Sequence, residues 1–181
     1  MNIHIQMDFS IPDELVGVYQ RLTEDEFLGG PPYLSLESAK EALERFSKTK
    51  IYGGIEIMAI MKIWDGEKLI GISFPRKIIE SHYRSLKLEG SHEDWYHLGT
   101  VFLDKEHRGK GVITEVIKLF RKTYPNLVWE CEVSNLASKK SACKAGFLLS
   151  HDIFFQGSGE YWSFEPDEEF CFPYHVLKTK L

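Results

Sequence analysis

The sequence predicts a mixed α/β domain with a largely antiparallel sheet. Two apolar runs meet at Trp64-Asp65-Gly66-Glu67, and Asp-Gly between such runs is a strong hairpin signal. Ala39, Ala42, Leu43 and Phe46 recur at i, i+3, i+4 and i+7, the spacing of one apolar helix face. A strand-like run ending at Leu103 passes through the basic turn HRGKG, residues 107–111, into an amphipathic segment. With 181 residues, 43% of them hydrophobic, the chain can fill one core of ordinary size, so a single domain over 1–181 is expected.

In chain order, HIQMDF alternates as a strand does. Ser10 then supplies an N-cap, Pro12 a first-turn proline, and Asp13 and Glu14 first-turn acids, which predicts a helix from about Pro12 to Leu22. The only Gly/Pro cluster is the loop GGPPY at 29–33, and the stripe through Ala39 to Phe46 forms a second helix. The hairpin through Asp65-Gly66 follows, then a polar stretch from Glu80 to Asp94, and then WYHLGTVFL, Trp95 to Leu103, as a third strand of the meander. Val112, Ile113, Val116, Ile117, Leu119 and Phe120 mark one face of the next helix. NLVWECEV is a further strand. A helix from Leu136 to Ala145 is capped by Asn135 and stopped by Gly146, with Phe147 giving the accompanying apolar contact. Pro173 in the final run FCFPYHVL suggests an edge strand or a bulge, and an apolar edge leaves a homodimer open.

Composition excludes several function classes. A net charge of −5 without a long basic run argues against a nucleic-acid binder. The opening MNIHIQMDFS has no basic segment followed by an apolar run, and no run reaches bilayer length, so neither secretion nor membrane insertion is expected. Cys131, Cys143 and Cys171 are odd in number and widely spaced, which suits reduced thiols in a cytoplasm, and no CxxC pair suggests zinc. Cys131 lies in an apolar strand with no histidine motif beside it, the setting of a packed thiol rather than a nucleophile.

Strand, basic loop and helix in that order make an anion seat. The amides of a helix start have no intrahelical acceptor and share the positive end of its dipole, and glycine lets a phosphate reach the main chain. Lys105, His107, Arg108 and Lys110 add positive charge, so a pyrophosphate is a fitting guest. The loop is not an ATP-type P-loop, since Lys110 precedes Gly111 and Val112 follows it. A glycine turn with a solvated basic face is the plain alternative.

Arg108-Gly109-Lys110-Gly111 after a strand, followed by Asn135-Leu136-Ala137-Ser138 and then Lys144-Ala145-Gly146-Phe147, resembles the GNAT superfamily of acyl-CoA N-acyltransferases over roughly residues 95–150. The N-x-x-S spacing ahead of K-x-G-F is more similar to the ribosomal-protein alanine acetyltransferase branch than to the histone branch. The resemblance implies a V-split sheet flanked by helices on both faces, with acetyl-CoA as co-substrate, no metal, and a small-molecule or protein amine as acceptor. It maps the family's pyrophosphate pattern onto Arg108, Gly111 and Ile113. Ile113 departs from the pattern, since that position usually carries a small residue. Backbone amides from Gly109 through Lys110, Gly111, Val112 and Ile113 to Thr114 would hold the pyrophosphate, and Asn135 and Ser138 would lie beside the pantetheine and adenine-ribose end. Val101 and Leu103 would offer strand amides to the pantetheine and the thioester, with the Leu103 N–H stabilising the oxyanion.

An amine acceptor of pKa about 10.4 needs a base near neutral pH. Glu130 and Glu132, on one face of their strand by period two, and His97 are considered, and His97 and Glu132 are named as candidates. The plain alternatives are a solvent face opposite Trp129, Cys131 and Val133 for the glutamates, and a packed strand histidine for His97. The tyrosine that often protonates the leaving thiolate in the resembled family is replaced by Ala142. The resemblance puts Phe27 to Ser35 and Gly157 to Glu169 over the acyl-transfer site, where the acids Glu160, Glu165, Asp167, Glu168 and Glu169 would attract a cationic amine and Tyr33, Tyr161 and Trp162 would line its apolar part. An acidic solvated loop is the plain alternative and the favoured one. Two function classes follow: an N-acyltransferase working by direct attack in a ternary complex, and a non-catalytic acyl-CoA-binding or protein-interaction module of the same fold.

Overall fold

A computed structural model describes residues 1–23, 35–52, 55–80, 83, 86, 88, 90–156, 162–163 and 171–179. Its elements in chain order are β1 (Ile3–Asp8), α1 (Asp13–Thr23), α2 (Leu36–Thr49), β2 (Ile51–Tyr52), β3 (Ile55–Glu56), β4 (Ile60–Asp65), β5 (Lys68–Ser73), β6 (Arg76–Lys77), β7 (Tyr96–His97), β8 (Val101–Leu103), α3 (Val112–Arg121), β9 (Leu127–Glu132), α4 (Leu136–Lys144), β10 (Phe147–Gln156), β11 (Trp162–Ser163) and β12 (Cys171–Thr179). They fall into two compact units, Met1–Arg76 with Leu98–Leu119 and Lys77–His97 with Phe120–Leu181. Among the described residues no helix is long and apolar enough to cross a membrane.

The first unit is built on an antiparallel sheet of order β1-β4-β5-β8. The Asp-Gly signal is obeyed: β4 and β5 pair from Asp65↔Lys68 inward, and Gly66 takes φ 60 in the turn. Ile60, Ile72 and Phe102 from the sheet pack with Leu15, Val18 and Tyr19 of α1 and Ala39, Leu43 and Phe46 of α2. Each large apolar side chain so buried contributes about 1.5–3 kcal/mol. The α2 stripe is the expected one, Ala39, Ala42, Leu43 and Phe46, and the helix is capped by Ser35, whose hydroxyl accepts the Ser38 N–H.

Helix α1 begins within a residue of the expected start, but Ser10 is not its cap. The Ser10 amide donates to Asp8 Oδ1 at 2.7 Å and its hydroxyl accepts from Lys62 Nζ at 3.1 Å. The Pro12 carbonyl instead accepts the Leu15 N–H in the first turn. The reason lies in β4: Lys62 is 0% exposed, its ammonium is ion-paired with Asp8, and Ser10 completes the shell of that buried cation.

The second unit holds a six-stranded sheet of order β11-β10-β12-β9-β7-β6. β7 runs parallel to β9, with Tyr96↔Leu127 and His97↔Val128, while β12 is antiparallel to both β9 and β10. Ile78, Leu86, Leu88, Trp95, Val128 and Val176 form its core on one face. On the other strand face Trp129 packs edge-on against Phe147, with Ala142 fully buried in α4.

Two further expectations need correction. The run Trp95 to Leu103 is not one strand: β7 pairs with β9, β8 pairs with β5, and residues 98–100 between them are irregular. Gly99 sets the break, with φ 79 and a backbone so close to Phe74 that a Cβ would collide with the Phe74 carbonyl oxygen. The C-terminal run is not an edge either, because β12 lies between β10 and β9, so the edge proposed as a dimer contact does not exist. Pairing with β9 ends at Tyr174↔Glu132, one residue short of Pro173, so on that side the missing N–H breaks no ladder bond.

Candidate active site

The site begins on β8, the outer strand of its four-stranded sheet. Facing pairs are Ser73↔Val101, Ile72↔Phe102 and Gly71↔Leu103, and the Asp104 N–H donates to Ile70 O at 2.9 Å. Amides alternate in direction along an antiparallel strand, so Phe102 and Asp104 point toward β5 while Val101 and Leu103 point outward from the sheet edge. The Leu103 carbonyl obeys the same alternation. It accepts from Arg108 Nε at 2.9 Å and from Nη2 at 2.8 Å. Arg108 therefore braces the end of β8 with one edge of its guanidinium, a role that the sequence pattern does not reveal.

A short 3-10 turn, Lys105–His107, carries the chain from β8 into the glycine loop, with the His107 N–H bonded to Asp104 O and the Arg108 N–H to Lys105 O. Gly109 and Gly111 then take φ 73 and 83, and a Cβ at either would meet nothing within 4 Å. Left-handed backbone beside open space is what a phosphate needs to reach main-chain amides. The first turn of α3 closes when Glu115 N–H bonds Gly111 O at 3.2 Å, so the amides leading up to it point out of the helix start. Val112 is 1% exposed and Val116, Ile117 and Phe120 are buried with it, whereas Ile113 and Leu119 are half-buried at the margin of that face. The side chain of Ile113 is thus not drawn into the core. Its amide stays in the helix-start set.

Charge around the loop is ordered. Asp104 is bound by Arg21, Nη2 to Oδ2 at 3.2 Å, and Glu106 is bound by Lys68, which lowers the pKa of the Glu106 carboxyl. Asp104, Glu106 and His107 bring ligand atoms within 4.8 Å of one another, but the two acids are already partnered by cations. Lys105, Arg108 and Lys110 stay exposed and keep the loop positive.

The remaining candidates lie in the second unit. Asn135 caps α4, its Oδ1 accepting the Ser138 N–H at 3.0 Å, and the Ser138 hydroxyl accepts Trp129 Nε1–H at 2.9 Å. Both expected cofactor contacts thus have internal structural work, and both remain half-buried. Gly146 takes φ 91, the left-handed stop expected there. Burial pushes the Cys131 thiol pKa up, with a hydrogen bond involving Ser138 opposing, which leaves it a packed thiol rather than a nucleophile. Ala142 is 0% exposed, so the usual tyrosine position faces the interior.

Glu132 is exposed at the end of β9, as a solvent-face carboxylate should be. Glu130 is not. Its side chain is 7% exposed and its Oε2 lies 3.4 Å from Nε2 of His97, itself 10% exposed. The period-two face holding Glu130 also carries Val128 and Val176, which pack with Ile78, Leu86, Leu88 and Trp95, and this corrects the solvent-face expectation for this residue. The acceptor segments fall outside the described residues at 27–34, 157–161 and 164–169.

No protein-family model and no curated protein matches the sequence. Solved structures match along nearly the whole chain. An acetyltransferase of the GNAT family from Bacillus anthracis aligns with TM-score 0.61 at 12% identity, covering 98% of this chain and 94% of that one. The fold is that of the GNAT N-acetyltransferases. AAC(6′)-Ib, solved with ribostamycin and coenzyme A, aligns with TM-score 0.67 at 10% identity over 99% of this chain and 94% of its own. A spermidine N-acetyltransferase chimera from Vibrio cholerae and hSSAT aligns with TM-score 0.62 at 13% identity over 99% and 95%.

Proposed function

We propose that this protein is a single-domain N-acyltransferase that moves an acetyl group from acetyl-CoA to a primary amine. One observation carries the reading. The outward amides of Val101 and Leu103 are followed on the same chain segment by the open, left-handed glycines 109 and 111 at the start of α3. An edge strand offers hydrogen bonds to an extended amide chain, and a helix start offers an electropositive seat to a pyrophosphate. Acetyl-CoA presents a thioester, pantetheine amides and a pyrophosphate in that order. AAC(6′)-Ib, solved with ribostamycin and coenzyme A on this fold, supports the same pairing of coenzyme and acceptor.

In this reading Gly109, Lys110, Gly111, Val112, Ile113 and Thr114 hold the pyrophosphate through backbone amides, and Arg108 fixes the strand end feeding the loop. Leu103, or Val101 one pleat further from the loop, donates its N–H to the thioester oxygen. The amine nitrogen, once deprotonated, forms a bond to the carbonyl carbon, and the displaced electron pair rests on that oxygen facing the strand amide. Collapse breaks the C–S bond, its electrons leave with sulfur, and the nitrogen's second proton passes to the thiolate. A thiol of pKa about 8.5 leaves without a dedicated acid, so Ala142 does not block turnover. The free thiols of Cys131 and Cys143 fit a cytoplasmic setting.

Calorimetric titration with acetyl-CoA tests the binding half, and thiol release across a panel of amines tests the catalytic half. Binding with amine-dependent release is expected. Ala142, buried where a tyrosine acid would stand, favours the second reading, an acyl-CoA-binding module without catalysis. Tight binding with silence across the panel would establish that module instead.

A further inference from the structure

We propose that Arg21 is a positioning residue for acetyl-CoA, holding the buried Asp104 carboxylate to α1 so that its charge does not oppose phosphates in the glycine loop; the role rests on the acyl-transfer reading above. Asp104 follows β8 and precedes the turn Lys105–His107 that leads into the loop. It is the N-cap residue of that turn, where an aspartate usually accepts a backbone N–H, yet its side chain makes no cap bond. Arg21, in the last turn of α1, takes the carboxylate instead. Its Nε donates to Oδ1 at 3.4 Å and its Nη2 to Oδ2 at 3.2 Å. The remaining nitrogen, Nη1, lies back along the helix, where a Cβ on Gly17 would stand 3.5 Å from it.

Burial is what makes this charge matter. The Asp104 side chain is 11% exposed and that of Arg21 54%, so the anion is hidden from water and the cation is not. A carboxylate with little water around it is screened chiefly by its partner, and its field reaches its neighbours through a low effective dielectric. Those neighbours lead straight to the anion seat. Carboxylate oxygens of Asp104 and Glu106 and a ring nitrogen of His107 lie within 4.8 Å of one another. Lys68 above all lowers the pKa of Glu106, and Lys110 of the glycine loop adds to the effect, so charge on this turn and charge on the loop interact.

Two acids beside a phosphate seat would weaken it, and each is met by a cation from another element, Arg21 of α1 and Lys68 of β5. The two pairs are not equivalent. Glu106 and Lys68 are 60% and 57% exposed, so water screens Glu106 with or without its lysine. Asp104 depends on Arg21. The pair also ties α1 to the end of β8, where the Asp104 N–H donates to Ile70 O. The tie serves the fold, and the cancelled charge serves binding.

Calorimetric titration with acetyl-CoA, at low and at high salt, separates those two effects. Arg21→Met is expected to weaken binding about five- to tenfold at low salt, and by less at high salt. Asp104→Asn should bind at least as tightly as the native protein. The combined variant should return to within about twofold of native, since no hidden charge is left to cancel. Lys68→Met makes the same change in net charge and should cost about twofold or less. Arg21→Gln serves where Arg21→Met does not fold. A folded Arg21→Met that binds like the native protein overturns the role. A combined variant as weak as Arg21→Met would mark the pair as a structural tie alone, and an equal loss in Lys68→Met would trace the effect to general surface charge; either overturns it too. A native protein that does not bind acetyl-CoA overturns the acyl-CoA reading itself, and this role falls with it.

Discussion

Gly111 decides whether the loop is a phosphate seat, because its φ of 83 and the empty space beside it are two separate requirements. Gly111→Ala tests the first: the methyl meets nothing, and the left-handed backbone costs about 1–2 kcal/mol of stability. Gly111→Glu adds a carboxylate where the phosphates would lie. Acetyl-CoA affinity is expected to fall modestly in the alanine variant and by about 100-fold or more, some 2.7 kcal/mol, in the glutamate variant, read by calorimetry. Equal losses in the two would mean that backbone strain and not phosphate contact is being measured. Asp8 poses a residue-scale question of a different kind. Burial raises its pKa, but bonds from Lys62, Ser10 and Gln6 outweigh that and hold the carboxyl well below the usual carboxylate range. A folded-state pKa lowered in this way adds stability above the unfolded value of about 3.9, and the gain is lost as pH falls through and below it. Asp8→Asn leaves the Lys62 ammonium buried without its counter-charge, and a loss of about 2 kcal/mol at neutral pH is expected. Its unfolding midpoint, followed from neutral pH into acid, should then fall less steeply than that of the native protein. Lys62→Met, which removes the buried charge outright, should cost less than Asp8→Asn.

At the scale of elements, the strand that became two shows where sequence legibility ends. WYHLGTVFL has the aromatic and β-branched content of a strand, and that part is right on both sides of the break. The glycine inside it is also a visible sign of a bulge. What local sequence cannot carry is the change of partner, since the pairings with β9 and with β5 are set by residues far along the chain. The same holds for Glu130: period two correctly separates it from Trp129 and Cys131, but whether a strand face meets solvent or another segment is tertiary information. Gly99→Ala is the sharp test at this scale. Its methyl would press on the Phe74 carbonyl oxygen from a left-handed backbone, and both faults are local to the break. A loss of about 3 kcal/mol is expected in urea unfolding. Because the same break sets the direction of β8, acetyl-CoA affinity should weaken in the surviving folded protein. A variant as stable as the native would show that the β7–β8 break does not depend on glycine.

For the whole molecule, the fold was readable in a short string while overall identity to the aligned structures is only 10–13%. A phosphate seat of the proposed kind would constrain few positions tightly: Gly109 and Gly111 by backbone conformation, Val112 and Val116 by burial, Arg108 by its hold on Leu103. The other positions need only preserve hydrophobic pattern, so sequence drifts while the architecture stays. A consequence can be measured on the intact chain. A ligand that binds only the folded state stabilises it by RT ln(1 + [L]/Kd), about 2.7 kcal/mol at a hundredfold excess over Kd. For a chain of this size each kcal/mol raises Tm by about 2–4 °C, so acetyl-CoA should raise it by about 5–10 °C, and Gly111→Glu should lose most of that shift. Hydrogen exchange then locates the contact: added protection should fall on the amides of Val101 and Leu103 and of residues 109–114. The amides of Phe102 and Asp104, directed toward β5, should change little. Protection alternating along three residues of one strand would distinguish a ligand lying on the β8 edge from general tightening of the fold, in which neighbouring amides slow together.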